Sequence, residues 1–145
     1  MFPQSSAAVA KGIYSFGKQE RLCSNKLIDE LYTTGNRLRI FPFSVYWMAC
    51  DESALPAQAQ VLISVSKRKF HNAVDRNRVK RLVRECYRQR KPQLYAALHD
   101  KGIGMIMAIS YFHNEILDYE MLMQRYEKMV VLLERSIVEE IQAKA

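Results

Sequence analysis

Eleven of the chain's 22 lysines and arginines stand within residues 67–91, at positions 67, 68, 69, 76, 78, 80, 81, 84, 88, 90 and 91. Only Asp75 and Glu85 oppose them there, while the other eleven cations face thirteen acids, so the whole net charge of +7 belongs to one segment. Solubility is served by spreading charge, whereas a concentrated patch aims a field at a polyanion. Val79, Leu82, Val83, Cys86 and Tyr87 recur at helical spacing as a buried stripe, and the opposite face collects Asn77, Lys80, Arg81, Arg84, Arg88 and Lys91. A helix anchored by one side and lined with guanidiniums on the other suits phosphates, which a guanidinium grips through two parallel hydrogen bonds. A merely solvated face interleaves acids at i, i+4 positions, and here Glu85 is nearly alone.

Other chemistry is poorly supplied. Cys23, Cys50 and Cys86 are odd in number, widely spaced and free of any CxxC pattern, and His71, His99 and His113 are equally scattered, which argues for packing or surface positions. Asp51 and Glu52 are neighbours in a loop, where adjacent side chains point apart, and no histidine pair has acid and base spacing. No catalytic residue and no metal ligand is assigned.

The elements that must position the basic face follow from periodicity. A chain of 145 residues, 49% apolar, fits one domain and buries a core without staples. No apolar run is long enough to span a bilayer and no signal-peptide pattern opens the chain, so a cytoplasmic protein is expected, with a disordered tail over residues 1–15 and a single domain over 16–143. A short helix over 25–34 has Ser24 or Asn25 as its cap, Leu27, Ile28, Leu31 and Tyr32 as its stripe, and Gly35 as a left-handed stop. Period two over 39–50 sets Phe43, Val45, Trp47 and Ala49 against Ser44, Tyr46, Met48 and Cys50, and it returns over 60–66, which predicts two antiparallel strands joined by a loop. The basic helix is predicted over 76–90, capped by Asp75 and ended by Pro92. A buried central strand over 103–109 and an amphipathic helix over 119–142, with Leu122, Tyr126, Met129, Leu133, Ile137 and Ile141 inward, complete the reading. A DNA major-groove helix would follow another helix and a tight turn, or a dimerising zipper, and this one follows strands.

At this resolution the residues become specific. Ser64-Val65-Ser66-Lys67, followed by Asn72-Ala73-Val74-Asp75-Arg76-Asn77-Arg78-Val79-Lys80-Arg81-Leu82-Val83-Arg84-Glu85, resembles the signature of the protein subunit of bacterial ribonuclease P. The likeness extends in order and spacing over residues 16–140. Its one departure is the connection Lys67-Arg68-Lys69-Phe70-His71-Asn72, which lacks the family's glycine and is one residue longer, so His71 is not carried over as a ligand. The resemblance implies an α/β fold of the α+β sandwich kind: a mixed, mainly antiparallel sheet with helices packed on it and a left-handed βαβ crossover through the basic helix. It implies a chain that does not cut RNA itself. A catalytic RNA subunit, using Mg2+, removes the 5′ leader of precursor tRNA, and the protein binds that RNA and the leader. RNA binding then falls to Lys67, Arg68, Arg76, Asn77, Arg78, Lys80, Arg81, Arg84 and Arg88, and leader binding to Ile28, Tyr32, Tyr46, Ser64 and Ser66. No membrane and no obligate protein partner is implied. The alternatives are a ribosomal-type structural RNA-binding protein or RNA chaperone, and, less favoured, a DNA-binding regulator.

Overall fold

Helix α1 (Asn25–Thr34) begins as its sequence predicts, with the Leu27 amide donating to Ser24 Oγ at 3.3 Å. This computed structural model describes residues 16–144, so the tail expected over 1–15 lies outside the described residues. The end of α1 differs from expectation. Gly35 has φ −73°, not a left-handed value, and glycine is needed for another reason: a Cβ there would sit 2.4 Å from the Leu31 carbonyl oxygen.

The period-two run expected over 39–50 is two strands, β1 (Asn36–Ile40) and β2 (Phe43–Asp51), separated by a turn with a cis Phe41–Pro42 bond. Then come β3 (Ala59–Val65), the basic helix α2 (Ala73–Asp100), β4 (Ile103–Tyr111) and α3 (Tyr119–Lys144). The sheet order is β1-β2-β4-β3, antiparallel except for the β3–β4 pair. This is the expected mixed, mainly antiparallel sheet with helices packed on it. The expected β2–β3 hairpin is corrected, because β4 lies between the two. Alternation says which face a strand buries and nothing about which neighbour it takes, and β4 supplies the more apolar one.

Central position explains why β4 reads as a nearly continuous apolar run. Met105, Met107, Ile109 and Tyr111 join the core under α2 and α3, while Ile106 and Ala108 join Leu22 and Leu31 in a smaller cluster under α1. The helices therefore cover both faces, with α1 alone on one of them.

Helix α2 runs ten residues past its expected end. Its cap is Asn72, whose Oδ1 accepts from the Val74 amide at 3.1 Å, rather than Asp75. Pro92 lies inside the helix. A proline there removes one i to i−4 hydrogen bond, costing about 3 kcal/mol. Burial of Leu94 and Leu98, both at 1% exposure or less, returns about 1.5 to 3 kcal/mol each and offsets it. On α3 the predicted stripe is buried from Leu122 to Ile137, but Ile141 is 37% exposed.

Candidate nucleic-acid interface

Two surfaces emerge, one on α2 and one on the sheet face under α1. On α2, Val79, Val83, Cys86 and Tyr87 are fully buried and fix the helix by its inner side. Burial pushes the Cys86 thiol up to about 12, with Glu85 adding to the effect, so this cysteine is a packing residue rather than a nucleophile. On the outer side Asn77, Arg78 and Arg81 are exposed and Lys80 and Arg84 half-exposed. None of those four cations forms an ion pair among the described residues. Lys67 and Arg68 stand exposed in the turn after β3, where Ser66 Oγ accepts from the Arg68 amide at 3.0 Å. A field from unneutralised cations on a rigid helix is what attracts a phosphate backbone.

Three members of the basic segment have other duties. Arg88 pairs with Glu85 and Arg90 with Glu127. Lys91, placed by helical spacing on the cation face, is only 3% exposed: its Nζ donates to Glu20 Oε1 at 2.7 Å. The Tyr95 hydroxyl donates to the same oxygen at 2.8 Å, and the Gly17 amide to Glu20 Oε2 at 3.1 Å. Extension of α2 beyond Pro92 brings Tyr95 to this pair, so Lys91 clamps the segment before α1 instead of facing a partner.

Arg76 is likewise turned inward. Its Nη1 donates to the carbonyls of Phe70 at 2.8 Å and His71 at 2.9 Å, which holds the connection lacking the family glycine onto the first turn of α2. Arg76→Ala is therefore expected to lower stability by about 1 to 2 kcal/mol. Arg81→Ala, on the exposed face, should leave the melting temperature nearly unchanged, and equal losses in the two melting curves would contradict this division.

The second surface is half a sheet face. Cross-strand register aligns Arg37 with Tyr46 and Tyr46 with Ala108, and in the next row Arg39, Ser44, Ser110 and Ser64. Ser64 Oγ lies 3.0 Å from Ser110 Oγ. Helix α1 lays Tyr32 beside Tyr46, ring centroids 4.8 Å apart and edge to face; Tyr32 is 42% exposed and Tyr46 half-buried. Ile28 is half-buried in the cluster beneath α1. Ser66, just past β3, is exposed and committed to its turn. Tyr32, Tyr46 and Ser64 thus lie on or beside this sheet face, and Ile28 and Tyr46 both pack against the cluster under α1.

Sequence reasoning missed Arg37, Arg39, Ser110 and Phe112 on this face. The signal was present: Arg37 and Arg39 alternate with Leu38 and Ile40, a period legible once residues 36–40 are read as a strand of their own. Asp51 and Glu52 do turn to separate partners. The Ser53 amide donates to Asp51, while Glu52 lies 2.9 Å from His99 Nδ1 and accepts from Gln58, and the hydrogen bonds from His99 and then Gln58 hold the Glu52 carboxyl below its usual range. Among the described residues no three His, Cys, Asp or Glu side chains gather to hold a metal, and no helix is long and apolar enough to cross a membrane.

Residues 16–132 match the ribonuclease P family model. The chain is 31% identical over 118 residues to the ribonuclease P protein component of Porphyromonas gingivalis strain W83, covering 81% of this chain and 85% of that protein. It is 29% identical over 127 residues to the corresponding protein of Chlorobium phaeobacteroides, covering 81% and 87%. Its fold is similar to the ribonuclease P protein of Staphylococcus aureus, with a TM-score of 0.60 at 21% identity over 80% of this chain and 96% of that one. The Thermotoga maritima protein gives 0.56 at 20% identity over 77% and 94%. A match over most of its length, in a chain built around this basic helix, shows that the protein belongs to the ribonuclease P protein component family.

Proposed function

We propose that this chain is the protein partner of a catalytic RNA in removing the 5′ leader from precursor tRNA, binding the RNA subunit through α2 and the single-stranded leader across the sheet face beside α1. The observation that carries this is the pairing of an unneutralised cation face with a separate sheet face that carries the Tyr32–Tyr46 ring pair. Phosphate recognition needs only charge and geometry, while a single strand is held by rings that stack on its bases. On this reading Lys67, Arg68, Asn77, Arg78, Lys80, Arg81 and Arg84 meet the RNA subunit, with Arg76 shaping the loop and Arg88 contributing from its pair with Glu85. Tyr32, Tyr46 and Ser64 meet the leader. The Mg2+ of the reaction belongs to the RNA subunit, and no step is assigned to a protein-bound metal.

Reconstitution with the cognate RNA at low magnesium tests this directly. Cleavage of precursor tRNA should be restored by the protein, whereas a structural RNA-binding protein or chaperone would bind RNA without restoring it. Within the reconstituted enzyme, Tyr46→Ala should cost about 1 to 3 kcal/mol in affinity for leader-bearing precursor and leave mature tRNA nearly unaffected. An equal fall for both ligands, or a large drop in the mutant's melting temperature, would remove Tyr46 from the leader site.

A further inference from the structure

Beyond the Tyr32–Tyr46 pair, the same end of the sheet repeats one arrangement, a guanidinium over an aromatic ring. Arg37 lies 5.5 Å from the Tyr46 ring centroid, Arg39 4.4 Å from that of Phe112, and Arg125 6.0 Å from that of Phe41. Phe41 also meets Phe112 at 5.9 Å and His113 at 4.8 Å, both edge to face. Arg39 and Phe112 continue the Tyr46 face, while Arg125, from α3 on the other face, joins them at the end of the sheet through Phe41. Arg39 pairs with Ser44, Ser44 with Ser110, and the Phe112 amide donates to the Pro42 carbonyl at 3.0 Å, extending the ladder past Tyr111. Phe112 therefore shares the face of Ser110 and Ala108, about 13 Å along the strand from the Tyr46 row.

A structural role alone accounts poorly for these side chains. Phe41 is 40% exposed, Arg39 is exposed, and Phe112 and Arg125 are half-exposed. Arg37, Arg39 and Arg125 form no ion pair among the described residues. An apolar protein partner would be repelled by three uncompensated cations, and duplex RNA offers no open base faces. Single-stranded RNA supplies both complements, bases for the rings and phosphates for the guanidiniums.

We propose that Arg39, Phe112, Phe41 and Arg125 form a second stacking step for single-stranded RNA, holding further leader bases beyond those at Tyr32 and Tyr46. This rests on the leader-binding reading above. The test uses the reconstituted enzyme with precursor tRNAs whose leaders grow one nucleotide at a time, and mature tRNA as control. Phe112→Ala should weaken long-leader precursors by at least about five-fold, change mature tRNA by less than about two-fold, and begin to act at a leader length different from that for Tyr46→Ala. Arg39→Gln, an exposed change on an edge strand, should share the Phe112 threshold with a smaller loss, and it serves if Phe112→Ala melts early. The proposal is overturned if both variants leave long leaders unaffected, weaken mature tRNA equally, or act at the Tyr46 threshold. Loss with Tyr46→Ala but not with these two removes only the second step. No loss with any of the three removes the leader-binding face itself.

Discussion

Glu20→Gln is expected to destabilise the protein by about 3 to 5 kcal/mol, because it leaves the Lys91 ammonium buried opposite a neutral amide. For a domain of this size that is a fall in Tm of roughly 10 to 20 °C. The size of the effect comes from burial: Glu20 is 8% and Lys91 3% exposed, and the carboxylate also serves the Tyr95 hydroxyl and the Gly17 amide. The double variant Glu20→Gln with Lys91→Met should recover part of the loss, since it removes the buried ammonium together with its counter-charge. Thermal melts of the single and double variants check this. A Glu20→Gln protein that melts with the wild type would mean the pair is solvated and the clamp between the segment before α1 and the far half of α2 is absent.

Neutralising Arg78, Lys80, Arg81 and Arg84 together to glutamine is expected to have the largest effect on binding. If each meets a phosphate of the RNA subunit, the slope of log affinity against log salt becomes shallower by about 3 units, at roughly 0.7 to 0.9 per contact. Between 50 and 200 mM salt the wild type would then lose on the order of a hundred-fold more affinity than the variant. The fold should survive, because α2 is anchored by Val79, Val83, Cys86, Tyr87, Leu94 and Leu98, all buried on its other side. Titrations across several salt concentrations measure the slope. If the slope is unchanged, the face does not touch phosphate, whatever happens to affinity at a single salt concentration.

The reach of the sequence differs between these two predictions. The cation face of α2 was legible because a helix sorts residues by a local period, so Val79, Val83 and Cys86 inside imply Arg81 and Arg84 outside without knowledge of any other element. The same holds for α1, for the buried stripe of α3, and for the apolar run of β4, and the family signature after Ser64 lies in contiguous residues. Lys91 obeyed the same period and was misplaced by it, because its burial depends on Glu20, 71 positions away. Pro92 read as a stop because the local cost of a proline is visible in sequence, whereas the compensating burial of Leu94 and Leu98 against the sheet is not.

What the sequence by itself determined, then, is the charge segregation, the element types and the side each element buries. Strand order, with β4 between β2 and β3, was decided only by tertiary pairing, since alternation is the same whichever neighbour a strand takes. So was the sheet face that gathers Tyr32 from α1, Arg37 and Arg39 from β1, Tyr46 from β2, Ser64 from β3 and Phe112 from the end of β4. Arg37, Arg39 and Phe112 are unremarkable within their own segments, and Tyr32, Tyr46 and Ser64 stood out only through the family resemblance. They become one surface because cross-strand register aligns rows from four strands, and register is a relation between distant segments that no local period encodes.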